Sequence, residues 1–153
     1  MPGYRTHLIG GVCAYALVSI LVVPLVKPTA LTMIEWFAVA LAGSLFPDID
    51  IKSKGQKIFY ILICASLILL SYQKQYIFMA YLSIASCVPL MVKHRGIFHS
   101  MWFLIAGAVA VVSTGYYYCP DYQYILASNM CFFIAGAISH LWLDMGFRRM
   151  VGF

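Results

Sequence analysis

The sequence predicts an all-α, polytopic transmembrane helical bundle of about six spans, with both termini cytoplasmic. Three observations carry that prediction: charge is scarce, the apolar runs are long and unbroken, and the basic residues gather on alternate breaks between runs. Hydrophobic residues make up 63% of the chain and charged residues 10%, against about 25% charged in an ordinary globular domain. A soluble surface could not be covered with so few charges, whereas a surface facing lipid needs none. The 153 residues suffice for one domain, taken as 1–153.

Six apolar runs follow in order: Leu8–Val26, Leu31–Phe46, Ile58–Tyr72, Tyr76–Val92, Phe98–Tyr118 and Tyr122–Leu143. The breaks are Lys27-Pro28, Pro47 to Lys57, Gln73-Lys74-Gln75, Lys93 to Gly96, and Cys119-Pro120-Asp121. A bilayer core takes about 20 apolar helical residues. The second and third runs fall short and must borrow flanking residues, with Lys54 and Lys57 snorkelling, or lie tilted. Four or five true spans would also fit. The runs lack the alternation of membrane β-strands. The first run is read as a retained span, because only Arg5 precedes it, His7, Gly10 and Gly11 interrupt its start, and no small-residue cleavage site follows before Pro24.

The net charge is +5, but no aromatic-and-basic stripe of the kind that tracks nucleic acid is present, and no nucleic-acid partner is expected. With six spans, one face carries Arg5, Lys52, Lys54, Lys57, Lys93, Arg95, Arg148 and Arg149, and the other only Lys27 and Lys74. Translocation of positive charge is opposed during insertion, so the basic face is cytoplasmic. The five cysteines, Cys13, Cys64, Cys87, Cys119 and Cys131, lack C-x-x-C pairing and are expected to pack between helices, with Cys119 alone near a loop.

Ionisable groups are costly at membrane depth, so their positions are informative. His7 opens the first run, Asp48 and Asp50 follow the second, His94 and His99 flank the start of the fifth, and His140 and Asp144 close the sixth. An even number of spans separates each group from the next, which brings all of them to one face. His140 and Asp144, four apart, share a helix face. Gly96 suggests a loop leading into a helix, with His94 and His99 on either side of the turn. In P-D-I-D, Pro47 ends the preceding helix, and the two carboxylates point the same way if the segment is extended. Imidazoles with carboxylates are the ligand set of Zn, with Mn or Fe as alternatives, and the number of groups allows one or two ions. His7, Asp48, His99, His140 and Asp144 lead as ligands. Asp50 and His94 come next, either as ligands or orienting one. Lys52, Lys54 and Lys57 read as headgroup anchors, Glu35 as an interfacial charge, and Asp121 as a loop residue.

At these residues the chain resembles the LexA-regulated, membrane-bound, metal-dependent hydrolases, the YdjM-like family. The resemblance lies in Thr6-His7 with Gly10, Pro47-Asp48-Ile49-Asp50, His94-Arg95-Gly96-Ile97-Phe98-His99-Ser100, and Ser139-His140 with Asp144. It spans nearly the whole chain and implies a bacterial inner (plasma) membrane location, regulation within the SOS response, and a metal-dependent hydrolase. More distantly, the site is similar to zinc-dependent phospholipase C and P1-type nucleases, although this chain has fewer histidines than they use.

Together these readings point to a hydrolase that acts at the cytoplasmic membrane face through a metal-activated water. A site at headgroup level favours an amphiphilic or phosphoester substrate, with the lipid bilayer as the other partner. Arg95, always charged, would clamp a phosphate, and Asp50 and His94 are candidate catalytic groups. Ser100 reads as a helix-start residue rather than a nucleophile. Two alternatives use the same ligands. A divalent metal ion transporter would place them near the midplane, and a non-catalytic scaffold would hold a structural metal in a closed shell.

Overall fold

The computed structural model describes residues 3–50, 52–91 and 97–150. Among them the regular structure is entirely helical: α1 (Tyr4–Val26), α2 (Ala30–Leu45), α3 (Lys54–Tyr72), α4 (Tyr76–Met91), α5 (Met101–Tyr118) and α6 (Gln123–Met150). Single 3₁₀ turns lie at Phe46–Asp50, Ile97–His99 and Pro120–Tyr122. Five segments are long and apolar enough to cross a membrane: Tyr4–Val26, Ala30–Asp50, Lys54–Tyr72, Met101–Tyr118 and Pro120–Gly146. The short second run gains its length from the 3₁₀ turn after it, and the third from Lys54 and its neighbours. The fourth run is the one that falls below spanning length, since α4 has 16 residues. Five helices of spanning length among the described residues fall within the expected range of four to six.

Local chemistry sets the helix ends. Lys27 takes a left-handed conformation (φ 50°) and its N–H returns to the Val23 carbonyl, closing α1 before Pro28. Thr29 then caps α2, its hydroxyl accepting from the Thr32 N–H at 3.2 Å. Ser53 caps α3 by accepting from the Gln56 N–H at 3.0 Å and donates to the Asp48 carbonyl at 2.9 Å. Gln56 Nε2 donates to the Ile49 carbonyl at 3.0 Å. These two bonds pin the Pro47–Asp50 turn to the start of α3. Gly146, at φ 71°, breaks α6 just past Asp144.

The centre of the molecule is α1, α2 and α6. α2 and α6 run parallel and approach through small residues. A Cβ on Gly136 would collide with the Ala40 carbonyl oxygen, and one on Gly43 with the Phe133 carbonyl oxygen, so neither position admits a side chain at this separation. Trp36 and Phe132 stack at 4.7 Å between ring centroids, with Ala40 beside them. Toward the other end, Leu104 of α5 packs on Ala137 and Leu141 of α6. α3 and α4 pair as a peripheral hairpin. Outward surfaces are apolar: Leu17, Ile20, Leu21 and Leu25 of α1 are each at least 67% exposed. Lipid is the solvent such a surface requires.

The cysteines depart from expectation. All five are exposed rather than packed between helices, because the tight interfaces here are built from glycine, alanine and serine, and in lipid an outward thiol has no penalty to avoid.

Candidate metal centre

The first turns of α1, the end of α2, the start of α5 and the end of α6 meet at one end of the bundle. Asp48, His99, His140 and Asp144 each present one ligand atom there, and the four atoms lie within 4.8 Å of one another. His140 sits fully buried on α6. Its Nδ1 is 2.7 Å from the Ser44 carbonyl oxygen. A carbonyl can only accept, so Nδ1 carries the proton and Nε2 turns its lone pair toward the cluster. That Nε2 lies 3.5 Å from Asp48 Oδ1 and 3.7 Å from Asp144 Oδ2. His99 Nε2 lies 3.8 Å from Asp48 Oδ1 and 3.9 Å from Asp144 Oδ2. His7 of α1 stacks on the His140 ring at 3.8 Å between centroids, and its Nε2 is 3.4 Å from Asp144 Oδ1.

These spacings fit a bound cation better than ion pairs between the side chains. A hydrogen bond needs about 2.7–3.2 Å between heavy atoms, and the four imidazole–carboxylate separations within the cluster exceed it. Atoms bonded at about 2.0–2.1 Å to a tetrahedral ion stand about 3.3 Å from one another, close to the 3.5–3.9 Å observed. His140 Nε2 is buried and makes no hydrogen bond. Leaving such an atom without a partner beside a 2%-exposed carboxylate at Asp144, met among the described residues only by imidazoles at 3.4–3.9 Å, would be expensive. Asp48, His99, His140 and Asp144 could together hold a metal ion, which would satisfy both. Asp48, at 18% side-chain exposure, is the open side of the cluster.

The i, i+4 pairing of His140 with Asp144 holds, and so does the convergence of all four elements. Other expectations change. Pro47–Asp50 is a 3₁₀ turn, not an extended segment. With three residues per turn, positions two apart diverge in direction. Asp48 therefore joins the cluster while Asp50, half-buried at the end of the turn, is not among the four. His7 stands beside the four, its Nε2 against Asp144 Oδ1 and its ring stacked on His140. His94 and Arg95 lie outside the described residues. Ser100 occupies the start of α5 by backbone position, with no capping bond from its hydroxyl. On the opposite side, Asn129 Nδ2 donates to Glu35 Oε1 at 2.6 Å, linking α6 to α2.

The part played by Ser44 could not be read from residue types, since it contributes a backbone carbonyl. The only trace was the small-residue pattern Gly43-Ser44 facing Gly136, which lets that carbonyl reach His140.

A model of the YdjM inner membrane protein family matches residues 1–151 of the chain. The chain belongs to that family. The match covers every residue of the cluster, and the inner-membrane description agrees with the five apolar helices of spanning length. Neither the curated proteins nor the solved structures give a match.

Proposed function

We propose that this YdjM-family member is a membrane-bound metal-dependent hydrolase, cleaving a phosphoester or phospholipid-like substrate at the cytoplasmic face. The observation that carries the reading is the set of four buried or half-buried ligand atoms at co-ligand spacing. An ion bound there, most simply Zn with Mn or Fe as alternatives, would lower the pKa of a coordinated water toward neutrality. The chain's own contributions are separable. Ser44 fixes the tautomer of His140. α2 and α6, locked by Gly43 and Gly136, fix where Asp48 and Asp144 stand. Asp48 faces the accessible side, where a substrate would approach. In this reading Arg95 binds the phosphate oxygens, and Asp50 and His94 handle protons.

The test is elemental analysis of detergent-purified protein, followed by a panel of phosphoesters and phospholipids with and without chelator. Stoichiometric transition metal and chelator-sensitive turnover of one substrate class are expected. Metal-free protein would sink the proposal.

One observation favours a second reading. Four protein ligands can close a tetrahedral shell by themselves, as in structural sites, whereas catalytic sites keep an open position. A structural ion would then tie α2, α5 and α6 together. Spectroscopy of the Co²⁺-substituted protein separates the two, since only the catalytic site changes its spectrum when a small anion displaces water. Transport has less support: the cluster lies at helix ends, and no second cluster of ligand type lies on the opposite side among the described residues.

A further inference from the structure

On the outer side of the α1–α6 contact runs a groove of about 560 Å³, walled by Ala14 and Leu17 of α1 and by Ala135 and Ile138 of α6. That volume falls within the about 300–1,000 Å³ of ligand pockets. The wall bears hydroxyl groups only at Thr6 and Ser139, the immediate chain neighbours of His7 and His140. The groove therefore has a direction: its polar end lies level with the cluster along the helices, and its apolar body leads away into the membrane. From Thr6 to Val18, the last α1 residue on the wall, it covers thirteen residues, a rise of about 18 Å along the helix. A single leaflet is about half of the about 30 Å hydrocarbon core, so the groove is one leaflet deep.

Basic side chains stand near this end of α1, outside the groove wall. Lys54 Nζ donates to the Tyr4 hydroxyl at 3.0 Å and sits 4.2 Å from the Tyr4 ring centroid. Arg5 Nε donates to the same hydroxyl at 3.3 Å. Both basic side chains thus bond Tyr4, two residues from Thr6. Both helices end within about a turn of the cluster, with α1 starting at Tyr4 and α6 breaking at Gly146. Asp48, the exposed side of the site, lies at this same end of the bundle.

We propose that the α1–α6 groove seats the hydrocarbon tail of a phosphate-headed amphiphile from the adjoining leaflet and presents its headgroup to the His/Asp cluster. The inference rests on the hydrolase reading for its purpose. Its fit can be tested without turnover. A second apolar groove, about 350 Å³ between α5 and α6, serves as an internal comparison. Its walls stop at Ile105 and Ile134, each six residues, or about 9 Å of helix, short of His99 and His140.

The experiment uses the full chain in vesicles of a zwitterionic phospholipid. The probes are a monoalkyl phosphate with a photoreactive diazirine in mid-tail and the alcohol of the same tail, and labelled positions are mapped by mass spectrometry. The phosphate should label the α1–α6 groove about fivefold or more above the α5–α6 groove, the weight of one basic residue acting on an anionic headgroup. The alcohol should label both alike. Ala14→Phe, and independently Ala135→Phe, should reduce phosphate labelling of the groove to the alcohol level while metal content stays at the wild-type value. Either variant suffices. Equal labelling of the two grooves by the phosphate probe overturns the proposal, as does groove labelling unchanged by a folded Phe variant. Metal measured in the same samples keeps the two readings apart. Metal-free protein that still labels the groove refutes the hydrolase centre alone, and metal-loaded protein without groove preference refutes the groove alone.

Discussion

Adding one methyl group at Gly136 should cost the site its metal, although residue 136 is not a ligand. A Cβ there would stand 2.9 Å from the Ser44 nitrogen, besides its overlap with the Ala40 carbonyl, whereas ordinary contact begins at 3.4 Å. Restoring that contact requires α2 and α6 to part by at least 3.4 − 2.9 = 0.5 Å at Ser44. The partner that orients His140 is the carbonyl of this same residue, at 2.7 Å. A shift of that size exceeds the about 0.2 Å within which metal–ligand distances are held. Losing an orienting partner typically costs about 10- to 100-fold in metal affinity, or about 1.4 to 2.7 kcal/mol. Gly107→Ala is the matched control, because a Cβ at Gly107 meets nothing within 4 Å. The assay is Zn²⁺ titration against a competing chelator in detergent, with helix content followed by circular dichroism. Gly136→Ala should fall within the stated range below Gly107→Ala at equal helicity. Equal affinities for the two variants would refute the idea that α2–α6 separation sets the ligand geometry.

Other outcomes follow from the same geometry. His140→Ala and Asp144→Ala should purify with less than about a tenth of the wild-type metal, since each removes an anchor of a four-ligand set; full metal content in both would remove the site. His7→Phe should keep its metal, because His7 flanks the set of four and a phenyl ring preserves the stacking on His140; loss equal to that of His140→Ala would make His7 a ligand. Imidazoles bind metal in their neutral form, so occupancy at fixed free Zn²⁺ should fall as pH drops from about 8 to about 5, and a flat profile would speak against histidine ligation. In intact cells a membrane-impermeant maleimide should react at Cys119, on the loop between α5 and α6, but not at a cysteine placed by Lys52→Cys; the reverse pattern would invert the orientation drawn from the basic residues.

Much of this architecture was legible because the bilayer simplifies the physics. Apolar runs report helices directly when every backbone group must be satisfied within its own segment. The count of six apolar runs already sends His7, Asp48, His99, His140 and Asp144 to one end without any knowledge of packing. What escaped was geometry finer than a helix. Asp48 and Asp50 look equivalent in P-D-I-D, and only the 3₁₀ winding after α2 decides that Asp48 enters the cluster. The cysteines misled for a related reason. Their usual burial reflects avoidance of water, and a helix facing lipid exerts no such pull on a thiol.

The parallel run of α2 and α6 explains why the site sits where it does. Two helices that end on the same side bring their C-terminal carbonyls together, and with them the negative ends of their dipoles. Carboxylates at Asp48 and Asp144 add to that negative potential instead of relieving it. Without a cation, the Gly43–Gly136 approach would therefore press like charges into a region with little water, which a protein held together mainly by close packing has poor means to offset. A bound divalent ion would reverse the sign of the interaction and let the close α2–α6 contact coincide with the paired carboxylates of Asp48 and Asp144. On this argument chelation should loosen α2 from α6 first. Hydrogen exchange around Gly43 and Gly136 should rise on metal removal while the α3–α4 hairpin stays as it was, and uniform exchange across all helices would show that the packing does not depend on the ion.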